Sequence, residues 1–436
     1  MQLTGATVVV ADPHDPTLDH TSPLVFRDGL VHDGPATPDD GDALDVSGCV
    51  VTPGLVNAHH HLLQTGFRTL PGTRGVAMRD WLPAMAAAYG AAGIDPSLVA
   101  ATTAAGVAEG LLSGVTTVAD HHLNWPAGAT PEDTVAIADA IASAARALGG
   151  RLVYVRGSAR DDPDAAAASA HAIAAHLLAG GHRGGVTDDG MLQFAVGPAG
   201  VHSDAEATFR LLGGIAREWG LRRRTQANEQ VDTEIALERY GRRPLDLLED
   251  WGWLEPGVTI AHLCDVTDAE IARLAHAGVT ATHAPGCDVP MGWGVAPVRR
   301  LLEAGLTVGL GTSGGGSNDA GHLLADARLA MQVSGLVGQQ LEARTVLAMA
   351  TTGSADGLGR PDLGRLTPGS RADACVWDVS GVADAGVADP VAGLLWASPG
   401  RRPRHVIVGG EVVVRDYVLV SGDERAIVAA LAARLG

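Results

Sequence analysis

The chain contains no lysine; all 31 of its fixed positive charges are arginine. Alongside the abundance of alanine and glycine, this reads as a coding bias and not as a functional signal. It does exclude one motif. Gly314, Gly315 and Gly316, with Ser317 behind them, resemble a phosphate cradle, but a GxxxxGK[ST] loop needs the missing lysine. Aromatic residues are scarce at 4%, and there are only four cysteines. Cys49, Cys264, Cys287 and Cys375 lie far apart with no CxxC pair, which excludes a disulfide framework and a structural zinc knot. No run of about 18 apolar residues is available to span a bilayer. The first residues, MQLTGATVVVAD, lack the basic-then-apolar pattern of a signal peptide. A cytoplasmic location is therefore expected. Positive charge is in deficit: 31 basic against 50 acidic residues give a formal net charge of −19. Such a surface repels phosphate backbones and anionic lipid headgroups, so neither nucleic acid nor membrane is an expected partner.

What is present is a 46% hydrophobic composition over 436 residues, enough for one large domain and a small one. The middle of the chain alternates. Eight β-type segments end in polar residues: Val51–His61, Thr116–His122, Arg151–Ser158, Met191–Val201, Arg222–Glu229, Val258–Cys264, Val279–Gly286 and Thr307–Gly315. Between them lie alanine-rich stretches with helical periodicity, such as Pro131–Leu148, Asp204–Trp219 and Thr267–Ala277, the last opening on a capping box from Thr267 to Glu270. Eight such alternations predict a closed parallel (β/α)₈ barrel, whose active site lies at the C-terminal strand ends. Both termini read as β-rich without intervening helices, and Gly409-Gly410 marks a hairpin between His405–Val408 and Glu411–Val414. The expected organisation is a barrel over 53–367 and a small β-sandwich domain assembled from 1–52 and 368–436.

The first barrel segment ends Asn57-Ala58-His59-His60-His61. Alternate side chains of a strand share a face, so His59 and His61 point into the barrel mouth together and His60 points away. Two imidazoles on one face are the beginning of a zinc site.

PGLVNAHHH resembles the first-strand metal motif of the amidohydrolase superfamily, and the likeness extends over nearly the whole chain. Ser113–His122 is similar to that superfamily's second strand, Thr225–Glu229 to its fifth, Ala261-His262 to its sixth and Gly311–Asp319 to its eighth. Met291–Pro297 and Gly353–Gly369 look most like the s-triazine hydrolases and 8-oxoguanine deaminases of the ATZ/TRZ subgroup. The resemblance implies a zinc or iron(II) ion that activates water for attack on a ring carbon of a small nitrogen-rich heterocycle, expelling an amine or similar group. It implies His59 and His61 as ligands, Glu229 as the proton shuttle, and His262 as ligand or orienter of the water. Relatives are commonly dimers or higher, so a homodimer is open.

Two positions depart from the family pattern. Gln226 stands where a ligand histidine is usual, and Ser313 where an aspartate is usual. An amide oxygen is a weak zinc ligand, and serine does not take a proton from water at neutral pH. Three readings follow. A metal sits on His59, His61 and a repositioned His262, with Ser313 beside the reaction. Alternatively the site holds none, and Glu229 and His262 perform acid–base chemistry of an isomerase or lyase kind. Or the chain binds without turnover. Candidate substrate contacts are Gln64, Trp81, His122, Gln226, His283, Trp293 and Asn318, with Arg224 on the face of Gln226 as a site for an anionic group. His202 and Arg160, just past strand ends, are weaker candidates, and Asp288 lies near the end of the seventh segment.

Overall fold

A computed structural model describes residues 1–35, 37, 41 and 43–436. The expected barrel is present. Its strands are Leu55–His61, Val115–His122, Arg151–Ser158, Leu192–Pro198, Arg222–Ala227, Val258–His262, Thr280–His283 and Val308–Leu310, in chain order around the ring. Just past the eighth, Ser313–Gly314 pairs back onto the first strand, with Ser313 opposite His60. That pairing closes the ring and carries Ser313 to the mouth. Small and β-branched side chains fill the interior: Val56, Ala58, Ala119, Val153 and Ala195 pack with Leu358 and Leu363. The barrel is thus a packed core with chemistry confined to its upper rim. Helices Pro131–Ala147 and Asp268–Ala277 open on capping boxes, at Thr130 with Asp133 and at Thr267 with Glu270. Each satisfies backbone N–H groups that a helix start leaves free.

Three segments differ from the sequence reading. Val51–His61 is two strands and not one. Cys49–Pro53 pairs antiparallel with Ala374–Asp378 outside the barrel, and Leu55–His61 enters it. The break falls at Gly54, where a Cβ would lie 2.3 Å from the Thr116 hydroxyl, so only glycine lets the chain cross between the two sheets. The seventh strand stops at His283, because Pro285 cannot extend it and opens a short helical turn, Pro285–Asp288. The C-terminal region also carries helices, Pro390–Trp396 and Glu424–Leu435, which the β-rich reading missed. Each starts on an aspartate, Asp389 or Asp423, whose side chain accepts two backbone N–H groups.

The terminal strands form a four-stranded and a six-stranded sheet. Leu3, Leu24, Phe26, Val51, Val376 and Ile407 pack between them as a core of their own. The predicted hairpin turns at Gly409 and Gly410, with φ of 58° and 84°. Among the described residues no helix is long and apolar enough to cross a membrane. Arg151 of the third barrel strand ties the barrel to this region. Its Nε and Nη2 donate to the two oxygens of Asp373 at 2.7 and 2.9 Å, and both side chains are buried. Removing one partner strands the other charge in the interior. Asp373→Ala is therefore expected to cost about 3–5 kcal/mol in denaturant unfolding. The double substitution Arg151→Met with Asp373→Ala is expected to recover most of that loss.

Candidate active site

The first strand delivers its histidines as the alternation requires, although the strand is irregular between Asn57 and His60. His59 and His61 face one another, ring centroids 4.9 Å apart. His60 turns outward to the Thr312 hydroxyl at 2.9 Å. His61 Nδ1 donates to the His121 carbonyl at 2.7 Å, which leaves the Nε2 lone pair free. His59 Nε2 is buried without a hydrogen-bond partner. The eighth strand presses against it at Gly311, where a Cβ would lie 2.7 Å from His59 Cβ. Burial first, then neighbouring imidazoles and Arg224, hold His59 far below its ordinary pKa. Burial likewise brings His61 down to about 4, against the bond to the His121 carbonyl. Both rings are therefore neutral, the form that ligates a cation.

His262 ends the sixth strand, 5.2 Å from His59 between ring centroids. Its Nδ1 donates to Asp288 Oδ1 at 2.6 Å, while Gln226 Oε1 lies 3.0 Å and Glu229 Oε1 3.6 Å from its Nε2. Gln226 Nε2 donates to the Ala199 carbonyl, which turns the amide oxygen toward His262. Asp288 also lies 3.6 Å from His283. Burial works to raise the Asp288 pKa, but His262 and the bonds from both histidines outweigh it and hold it near 2. Glu229 stands at the start of helix Gln230–Tyr240, buried, and neither carboxylate oxygen has a hydrogen-bond partner among the described residues. Burial raises its pKa, and the nearby His262 and His202 offset this only in part.

His61, Gln226 and Glu229 face a cavity of about 190 Å³, and His59 and His262 lie outside its lining. His61, Gln64, Trp81, Gln226, Glu229, Trp293 and Ser313 line it. One wall is helix Met78–Ala92, which buries Trp81, Met85 and Tyr89 at four-residue spacing on one face. Trp81 Nε1 donates to the Gly316 carbonyl, and Gln64 Oε1 accepts from Gly316 N–H, so both are fixed against the glycine loop. Trp293 meets the edge of His262 with its Nε1 unpartnered. Met85, Tyr89 and Cys287 also line the cavity and were not anticipated, although the spacing of Trp81, Met85 and Tyr89 carried the signal.

Four expected contacts lie elsewhere. Arg224 is buried, its Nη2 donating to the Ala58 carbonyl, and does not line the cavity. His122 packs against Trp125 and Tyr154. His283 serves Asp288, and Asn318 Nδ2 donates to Thr312 O and Asp326. Conversely His202 and Arg160, the weaker candidates, both line the cavity.

The donor set fits a divalent metal ion. Three imidazoles are an adequate zinc ligand set. His59 Nε2 lacks a partner, His61 Nε2 carries a lone pair, and Asp288 orients His262 as carboxylates orient metal-binding histidines. His262, Cys287 and Asp288 also bring one donor atom each within 4.8 Å of one another. That trio fits less well, because Asp288 is committed to Nδ1 and burial pushes the Cys287 thiol up, keeping its proton.

The barrel, the paired first-strand histidines and the acid after the fifth strand define a hydrolase architecture. The chain belongs to the amidohydrolase family, which it matches over residues 50–413. It is similar to 8-oxoguanine deaminase of Pseudomonas aeruginosa, 33% identical over 431 residues, covering 94% of either chain. It is also similar to 5-methylthioadenosine/S-adenosylhomocysteine deaminase of Halobacterium salinarum, 32% identical over 90% of this chain and 87% of that protein. Among solved structures, atrazine chlorohydrolase TrzN from Arthrobacter aurescens TC1, complexed with zinc, superposes with a TM-score of 0.89 at 32% identity, covering 100% of both chains.

Asp288 is the support most easily tested. Asp288→Ala is expected to weaken divalent-metal binding by about 10–100-fold in chelator competition, with circular dichroism unchanged. Equal affinity would show that His262 needs no such support.

Proposed function

We propose that this chain is a metal-dependent hydrolase that displaces an amino or equivalent group from a small nitrogen-rich heterocycle. The observation that carries the reading is the Glu229 carboxylate, buried, unpartnered and facing the cavity beside His262. Burial raises the pKa of this carboxyl group, which makes it a better proton acceptor and so suits it to take a proton and return it. Family membership and the deaminases and triazine hydrolase named above support carbon–nitrogen or related bond hydrolysis. His59, His61 and His262 would hold the ion, zinc or iron(II), with Gln226 Oε1 nearby. Such an ion supplies Lewis acidity and lowers the pKa of water to about 7.

The remaining work falls to the side chains. Glu229 accepts a proton from water and delivers it to a ring nitrogen or the leaving group. Asp288, accepting from Nδ1, keeps His262 Nε2 directed toward Gln226 and Glu229. Ser313, without acid chemistry of its own, offers a hydroxyl at the same rim. Trp81, Met85, Tyr89 and Trp293 exclude bulk water and give a flat ring apolar surfaces to lie against. The volume, about 190 Å³, is below the roughly 300–1,000 Å³ of sites for drug-sized ligands, which favours a free mono- or bicyclic ring over a nucleoside.

The test is ammonia release from a panel of aminopurines and aminotriazines, with metal analysis of the same preparations. Glu229→Gln is expected to lower kcat by about 10²–10⁴ with metal content unchanged. His59→Ala is expected to lose metal and turnover together. Turnover persisting in metal-free protein would overturn the metal's role and leave Glu229 and His262 as the acid–base pair. Tight retention of a heterocycle with no product would make the chain a binding protein.

A further inference from the structure

Two side chains at the rim have no place in the chemistry above. His202 follows the fourth barrel strand, is 6% exposed, and lines the cavity. Its Nδ1 donates at 3.2 Å to Oδ1 of Asp232, a fully buried carboxylate. The other oxygen of Asp232 accepts from Asn228 N–H at 2.9 Å, so the acid cannot swing away. With Nδ1 committed, the ring's Nε2 has no partner among the described residues and is left for whatever fills the cavity. Burial alone would depress the His202 pKa, but the Asp232 hydrogen bond and the charges of Glu229 and Asp232 outweigh it and raise it. That favours the ring with a proton on both nitrogens.

Arg160, just past the third strand, is the second. It lines the same cavity, is exposed, and its guanidinium makes no hydrogen bond or ion pair among the described residues. Its backbone is held in the left-handed region at φ 70°, a conformation uncommon outside glycine. Asp204 maintains it. Oδ1 of Asp204 accepts from Arg160 N–H at 3.3 Å and from the Ser158 hydroxyl at 2.6 Å, and Oδ2 accepts from the Ser203 hydroxyl at 2.6 Å. One buried carboxylate thus clamps the loop carrying Arg160 to the loop carrying His202.

We propose that His202 and Arg160 form a subsite for the acidic oxo edge of the substrate, a ring carbonyl beside an ionised ring nitrogen. The inference rests on the hydrolase reading for the identity of the ring, but not for the existence of the subsite. The geometry supports it directly: an oriented imidazole and an unpaired guanidinium are donors without acceptors, set on the fourth- and third-strand loops. The far side of the ring is then left to Glu229 and the first-strand histidines. Neutral alkylamino rings would leave the buried His202 donor unpaired, which is unfavourable, and would give the exposed Arg160 no charge to meet. The subsite therefore selects for oxygen-bearing, acidic heterocycles over alkylated neutral ones.

The test uses binding and not turnover, so that it stands apart from the hydrolase reading. Urate is a monoanion at neutral pH and has no amine to lose; hypoxanthine is its neutral counterpart. Calorimetric titration of the purified, metal-replete protein is expected to give urate an affinity about tenfold or more above hypoxanthine, as charge-assisted bonds require. His202→Gln and Arg160→Met are each expected to reduce that preference, lowering urate affinity several-fold more than hypoxanthine affinity. Arg160 is exposed, so its variant tests the subsite even if the His202 variant folds poorly. Equal affinity for the two purines in the parent protein, or a preference retained in both variants, would overturn the subsite. Urate selectivity without any ammonia release from aminoheterocycles would uphold the subsite and sink the hydrolase reading.

Discussion

A carboxylate and several imidazoles held out of water, with too few partners among themselves, is the constraint on which the site depends. Glu229, His59 and His121 each bury a polar side-chain atom that no neighbour satisfies. Such groups oppose folding unless a rigid frame leaves them no alternative. The frame here is the parallel ring. Asn228, His262, Leu263 and Ser313 sit at its strand ends with φ between 53° and 76°. Non-glycine residues in that region store strain, and such strain concentrates at sites where it is part of function. Ladder hydrogen bonds from the fifth to the sixth strand reach Ala227 opposite His262, one residue before the strained turn at Asn228. The regular sheet ends where the irregular chemistry begins.

The two departures from the family pattern, Gln226 and Ser313, remove an imidazole and an acid from the rim. The structure shows where negative charge is found instead. Asp288, from the turn that follows the seventh strand, sits behind His262 on its Nδ1 side. There it cannot take a proton from the cavity, but it fixes the ring and contributes negative charge close by. Gln226 keeps an oxygen directed at the same imidazole, 3.0 Å from Nε2. The substitutions therefore redistribute polarity around His262 and do not erase it.

The barrel was legible because its signal is redundant: eight segments, each ending in polar residues, agree with one another. His59 and His61 were legible because strand alternation puts them on one face, whereas Glu229 and His262 were legible through the family resemblance of the segments that carry them. Legibility failed where a side chain's partner lies far away in sequence. Nothing near His202 announces Asp232 thirty residues on, nor Arg160 the clamp from Asp204. His122 looked like a rim residue, yet Trp125 and Tyr154 draw it into packing. The helix Glu424–Leu435 was missed for a different reason. Its cap at Asp423 and its alanines were visible, but the neighbouring strands set the expectation for the whole terminus.

Arg224 shows the limit of face-based reasoning. Arg224 and Gln226 share a strand face, which made the arginine a candidate for an anionic ligand. A shared face is not a shared depth: two residues along a strand is about 6.6 Å of travel toward the barrel floor. At that level the guanidinium meets the Ala58 carbonyl, and burial lowers its pKa to about 9. Its charge still reaches upward. It pushes the pKa of His59, His61 and His121 down, which favours the unprotonated rings that a cation needs. The same charge repels that cation. The two effects are compatible because Glu229 and Asp288 place negative charge around His262, on the other side of the imidazoles. Removing Arg224 would make the histidines easier to protonate while relieving repulsion on an ion, so the two consequences oppose each other with pH.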